Sequence, residues 1–158
     1  MKRHHTLLAA LMLLVAAATL TGCLDDENPH SPTATRLLAA NINGTDWSAT
    51  SPSATRIVPP AATTVVGSGA DIQLTLNIAA AATGTYQLGG TTHVALCRYN
   101  GKEFTTNRAG ASGSITITAY DEATKLLTGT FTFTARTAAG DSLTVSSGRI
   151  VNVKWAEQ

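Results

Sequence analysis

Asp71-Ile72-Gln73-Leu74-Thr75-Leu76-Asn77-Ile78 carries an aliphatic side chain at every second position. The alternation puts Ile72, Leu74, Leu76 and Ile78 on one face and polar residues on the other, as in a half-buried β-strand. Ser114-Ile115-Thr116-Ile117-Thr118-Ala119 repeats it, as does Leu127-Thr128-Gly129-Thr130-Phe131-Thr132-Phe133-Thr134-Ala135. Their inner faces hold Ile, Leu and Phe, and their outer faces hold Thr, whose branched Cβ suits a pleated backbone. Beyond residue 35 no segment is apolar at helical spacing, and Ala79 to Ala82 is too short for a stable helix. The expected class is all-β: an antiparallel sandwich or a small barrel of eight to ten short strands.

Turn chemistry sets the register around these strands. Asn43-Gly44 and Asn100-Gly101 suit two-residue hairpins, whose central residues need positive φ. The first hairpin pairs Ile42 with Thr45, Ala40 with Trp47 and Leu38 with Ala49, all on one mostly apolar face. The second pairs Tyr99 with Lys102, Arg98 with Glu103 and Cys97 with Phe104. An opposite-charge pair then faces one way and an apolar pair the other. Asp121 to Lys125 reads as a third turn and Thr137 to Asp141 as a fourth, leading to a strand near Leu143 to Val145. After Gly148 the alternating set is Val151, Val153 and Trp155, with Ile150 on the opposite face. A bulge or sharp bend at Gly148 accounts for that break.

The N-terminal segment has a different character. Met1-Lys2-Arg3-His4-His5 is basic, and Leu7 to Leu20 is uncharged and almost entirely apolar. This is the layout of a secretory signal, and the run falls short of the roughly 20 residues that a spanning helix needs. Leu20-Thr21-Gly22-Cys23 matches the lipobox, in which small residues allow an extended approach to the peptidase and the cysteine thiol takes diacylglycerol as a thioether. Residues 1–22 therefore read as a lipoprotein signal peptide, and Cys23 as the lipid attachment site and the link to the membrane. Each buried methylene of an acyl chain contributes about 0.8 kcal/mol, so two chains hold stably. Residues 23–35, rich in Asp, Asn, Pro, Ser and Thr, read as an acidic flexible tether. Residues 36–158 read as a single β domain. Leu24, not Asp, follows the cysteine, which points to the outer membrane. Asp25-Asp26-Glu27 fits either a surface-export signal or a plain solvated spacer.

Removal of residues 1–22 leaves 136 residues, with nine Lys plus Arg against ten Asp plus Glu. That balance offers no electrostatic case for a nucleic-acid partner. With Cys23 committed to lipid, Cys97 has no disulfide partner, and stability must come from the apolar core. Asn41-Ile42-Asn43-Gly44-Thr45-Asp46-Trp47 resembles the opening of an uncharacterised family of small Bacteroidota lipoproteins. Gly84-Thr85-Tyr86-Gln87-Leu88, the segment Ser112 to Asp121, the segment Thr128 to Ala135, and Val145-Ser146-Ser147-Gly148-Arg149-Ile150 are similar to the same family. The resemblance implies an all-β envelope domain and brings no catalytic residues.

Chemistry-bearing patterns are sparse. His30 and His93 are the histidines beyond the signal, and no His or Cys cluster has metal-ligand spacing, so no metal or cofactor is expected. Asp121 and Glu122 share a turn but fall far short of the oxygens that calcium takes. A hydrolytic triad would have to use His93, and no serine stands in a Gly-x-Ser-x-Gly elbow. Cys97 lies four residues from His93 on one strand, about 13 Å away, too far for a thiolate pair. Gly89-Gly90 does not open a helix, so it is not a phosphate loop. Trp47 belongs to the core in the hairpin register. Tyr86 and Tyr99, which flank turns, and Trp155, near the C-terminus, are the candidate ligand contacts. The expectation is a non-enzymatic binding module with a protein or glycan partner; a structural surface-coat role is the alternative, and a hydrolase stands behind both.

Overall fold

A computed structural model describes residues 35–158. The signal segment, Cys23 and the tether through residue 34 lie outside the described residues. The described chain contains eleven strands and no helix: β1 (Leu37–Ile42), β2 (Thr45–Ser48), β3 (Ser53–Ile57), β4 (Ala62–Gly69), β5 (Ile72–Ile78), β6 (Gly84–Leu88), β7 (His93–Tyr99), β8 (Lys102–Thr105), β9 (Ser112–Asp121), β10 (Leu126–Arg136) and β11 (Ser142–Glu157). The fold is all-β, with one strand more than the upper expectation.

Two walls enclose the core. One runs β2-β1-β11-β10-β9-β6 and is antiparallel throughout. The other runs β3-β4-β5-β7-β8, also antiparallel. The last residues of β11 join them by pairing in parallel with β3, Trp155 opposite Ala54 and Glu157 opposite Arg56. The far corner closes through one pair, Arg136 of β10 with Thr105 of β8. The pairing thus forms a ring of seven strands, β11-β3-β4-β5-β7-β8-β10, from which the remaining strands extend as flaps. The parallel β3–β11 pair departs from a purely antiparallel expectation, because β11 is long enough to leave one wall and enter the other.

The core follows the period-two pattern. Ile72, Leu74, Leu76 and Ile78 of β5 are buried, as are Ile115, Ile117, Leu127, Phe131 and Phe133 from the opposite wall. Both Asn-Gly hairpins take the expected register, with Ala40 opposite Trp47 and Cys97 opposite Phe104. Asn43 and Asn100 have φ of 49° each. Trp47 is buried, and its indole N–H donates to the Gly69 carbonyl at 2.7 Å, fastening the first hairpin to β4. The approach is close enough to require glycine in β4. A Cβ on Gly67 would stand 2.6 Å from Ala49 Cβ, and one on Gly69 would stand 2.6 Å from the Ser48 carbonyl oxygen.

β11 corrects the reading of the C-terminal segment. It is one continuous strand carrying two extra residues. The first lies between Val145 and Gly148, where Ser147 has φ of 52°. The second lies between Ile150 and Val153, where Asn152 has φ of 49°. Each extra residue reverses which parity faces inward. Leu143, Val145, Gly148, Ile150, Val153 and Trp155 therefore all point into the core, while Val151 is half-buried on the outer side. Ile150, expected opposite Val153 and Trp155, joins them.

Candidate functional site

The bulge at Ser147 shapes the outer face of the first wall. Ser114 and Thr116 of β9, Thr130 and Thr132 of β10, and Ser147 and Arg149 of β11 project from adjacent strands. With the backbone at Phe131 and Gly148 they line an open hollow of about 440 Å³. Its rows follow the strand register: Thr85, Thr116, Thr130 and Arg149 lie side by side across four strands. Gln87, Ser114 and Thr132 form the next row, which ends at the bulge. Thr132 Oγ1 donates to the Val145 carbonyl at 3.1 Å and fills the hydrogen-bonding gap left there. The Thr85 and Thr116 hydroxyls meet at 2.9 Å. Gly148 leaves room for the Phe131 ring beneath, since a Cβ at that position would fall 2.4 Å from Phe131 Cδ2.

The side chains that border the hollow carry one sign of charge. Arg149 is exposed, and among the described residues no carboxylate pairs with it, as none does with Arg36, Arg108, Arg136 or Lys154. No carboxylate lines the hollow. The Ser114, Thr130 and Ser147 hydroxyls, each able to donate and accept, stand beside the Arg149 guanidinium.

The residues nominated from sequence are elsewhere. Trp155 is 1% exposed, with Tyr120 5.1 Å away ring to ring and Lys125 Nζ 4.3 Å over its indole. The Arg56 guanidinium carbon lies 5.1 Å from the same ring. A ring so covered is a core element and offers no platform, which corrects its nomination. Tyr86 is half-buried against the core and donates its hydroxyl to the Ala82 carbonyl at 2.8 Å. Tyr99 is likewise half-buried at the end of β7. None of the three lines the hollow.

A family model described as a domain of unknown function (DUF6252) matches residues 34–154. The chain belongs to this family. No curated protein and no solved structure gives a significant match. Every residue lining the hollow falls inside the DUF6252 match, whereas Trp155 falls just beyond it.

Other reactive groups in this DUF6252 domain are already engaged. Cys97 is buried, and desolvation pushes its thiol from 9.0 up to about 12, which removes its nucleophilic form at neutral pH. His93 Nδ1 accepts the Ala79 backbone N–H at 3.1 Å, and its ring lies 5.3 Å from that of Tyr86. The Asp121 carboxylate accepts the backbone N–H groups of Ala123 and Thr124 at 2.8 and 3.0 Å, which holds its pKa below the usual value and closes the β9–β10 turn. Among the described residues, no three His, Cys, Asp or Glu side chains stand together as a metal site would need. A second hollow of about 380 Å³, bordered by Lys102, Glu103, Arg108, Ala138 and Asp141, is crossed by the Lys102–Asp141 ion pair at 2.7 Å.

Proposed function

We propose that this protein is a lipid-anchored envelope lipoprotein whose β domain binds an acidic glycan on the outer face of β9, β10 and β11. The observation that carries the reading is the hollow lined by Ser114, Thr116, Thr130, Thr132, Ser147 and Arg149, with no carboxylate among them. Sugar hydroxyls exchange donor and acceptor roles with Ser114, Thr130 and Ser147, Thr132 can accept, and Arg149 supplies a fork for a carboxylate or sulfate. The hollow presents no aromatic platform, so recognition rests on hydrogen bonds and charge.

The address rests on sequence. The signal-like residues 1–22 and the lipobox Leu20-Thr21-Gly22-Cys23 support anchoring through Cys23, in the outer membrane of a bacterium of the Bacteroidota type, with the domain presented at the cell surface. The reading is non-enzymatic and needs no cofactor. Its test is an array of neutral and acidic glycans probed with the wild-type chain, Arg149→Ala and Thr130→Val. Acidic glycans should bind the wild type and lose binding with Arg149→Ala. Absence of glycan binding, or binding that both substitutions leave unchanged, would reject the proposal in favour of a structural coat role.

A further inference from the structure

The two exposed large hydrophobic residues of the described chain are neighbours, Ile57 at 37% and Val58 at 45%. Ile57 ends β3, and Val58 opens the turn to β4, which continues through exposed Pro59, Pro60 and Ala61. Five consecutive exposed residues at one hairpin tip thus carry no charge and no side-chain hydrogen-bonding group. The core has no use for them, since the inward positions of these strands, Ala54 and Val65, are already buried.

The strand register places this tip. β3 runs parallel to the end of β11, so Ile57 follows on from the Arg56–Glu157 pair. β1 runs antiparallel to β11 and begins with Leu37 opposite Val151, so Arg36 and Thr35 leave β1 in the direction in which β11 advances. The backbone entering from the tether and the apolar tip therefore share one end of the ring. The turns at Asn43-Gly44, Asn100-Gly101 and Thr137 to Asp141 lie at the other end. Between Cys23 and Leu37 stand 13 residues. A chain of that length reaches at most roughly 50 Å when fully extended. A lipid on Cys23 would hold this end of the domain within reach of a bilayer.

We infer that the Ile57-Val58-Pro59-Pro60-Ala61 tip is a membrane contact that inserts into the interfacial layer of the bilayer carrying the anchor. The inference rests on the lipid-anchor reading above. Charge at this end is nearly balanced, Arg36, Arg56, Lys125 and Lys154 against Asp121, Glu122 and Glu157, so insertion is apolar and needs no anionic lipid. Tip contact lays the ring with its strands rising from the membrane. The hollow on β9 to β11 then faces sideways, open to ligands along the surface.

The experiment uses the lipidated protein on phosphatidylcholine vesicles, with an environment-sensitive fluorophore attached through Val58→Cys or, in a second variant, through Ala139→Cys at the opposite end. Buried Cys97 does not compete for the label. The Val58→Cys probe should shift blue and be quenched by spin-labelled lipid at a depth of about 5–10 Å, in neutral and anionic vesicles alike. The Ala139→Cys probe should read water. Vesicles that retain acylated protein while both probes read water would overturn the tip contact and leave the anchor standing. A Cys23 peptide without acyl mass would overturn the anchor, and the tip proposal with it.

Discussion

Ile150→Ala and Val151→Ala, made separately, test the path of β11 most sharply. A strict alternation through Val151, Val153 and Trp155 makes Val151 the core residue and Ile150 the outer one. The bulge at Asn152 reverses this: Ile150 is 0% exposed, and Val151 is half-buried on the outer face. Ile150 lies between β1 and β10, opposite Leu38 and Gly129. Its truncation removes three buried carbons and leaves a cavity that two hydrogen-bonded neighbours can fill only in part. Such replacements cost about 2–5 kcal/mol, whereas truncating Val151 on the outer face should cost under about 1 kcal/mol. For a domain of this size 3 kcal/mol corresponds to a fall in Tm of roughly 10–15 °C. Urea unfolding followed by tryptophan fluorescence, with Trp47 and Trp155 both buried, reads the two variants in one assay. Equal losses, or a larger loss for Val151→Ala, would refute the second bulge and the inward path of Ile150.

Three further outcomes are expected. Asn152→Gly should be close to neutral, while Asn152→Val should cost about 1–3 kcal/mol, because a β-branched residue strains at φ of 49°; calorimetry on both variants checks it. Cys97 ionises near 9.0 when unfolded and at about 12 when folded, so from pH 9 upward the unfolded chain releases the proton first. Its contribution to stability should be complete below pH 9 and fall as pH rises toward 12, and Cys97→Ala should flatten that part of a stability–pH profile. Cys23→Ser should abolish metabolic labelling with fatty acid and release the protein from the membrane fraction; a variant still labelled would refute anchoring through Cys23.

The walls of the fold were legible because alternation and turn chemistry agree. At Asn43-Gly44 and Asn100-Gly101 the turn demands a register that also places Trp47, Cys97 and Phe104 inward. The second bulge was hidden for the same reason. Val151, Val153 and Trp155 look like an unbroken alternation, and only the left-handed backbone of Asn152 breaks it. Closure was hidden too, since the parallel pairing of Trp155–Glu157 with Ala54–Arg56 joins segments a hundred residues apart. The hollow left no local signal. Thr116, Thr130 and Arg149 are ordinary outward strand residues, and only the register across β9, β10 and β11 sets them in a row. Trp155, near the C-terminus, resembles an exposed aromatic in sequence, yet its ring belongs to the core under Arg56 and Lys125.

The proposed binding surface is the hydroxyl-lined hollow, and amide chemical-shift mapping during titration with a soluble uronic-acid oligosaccharide tests it. Resonances of Ser114, Thr116, Thr130, Thr132, Ser147 and Arg149 should move together and saturate, and Arg149→Ala should suppress the response. Shifts confined to the Lys102–Asp141 hollow, or no saturable shift at all, would contradict it.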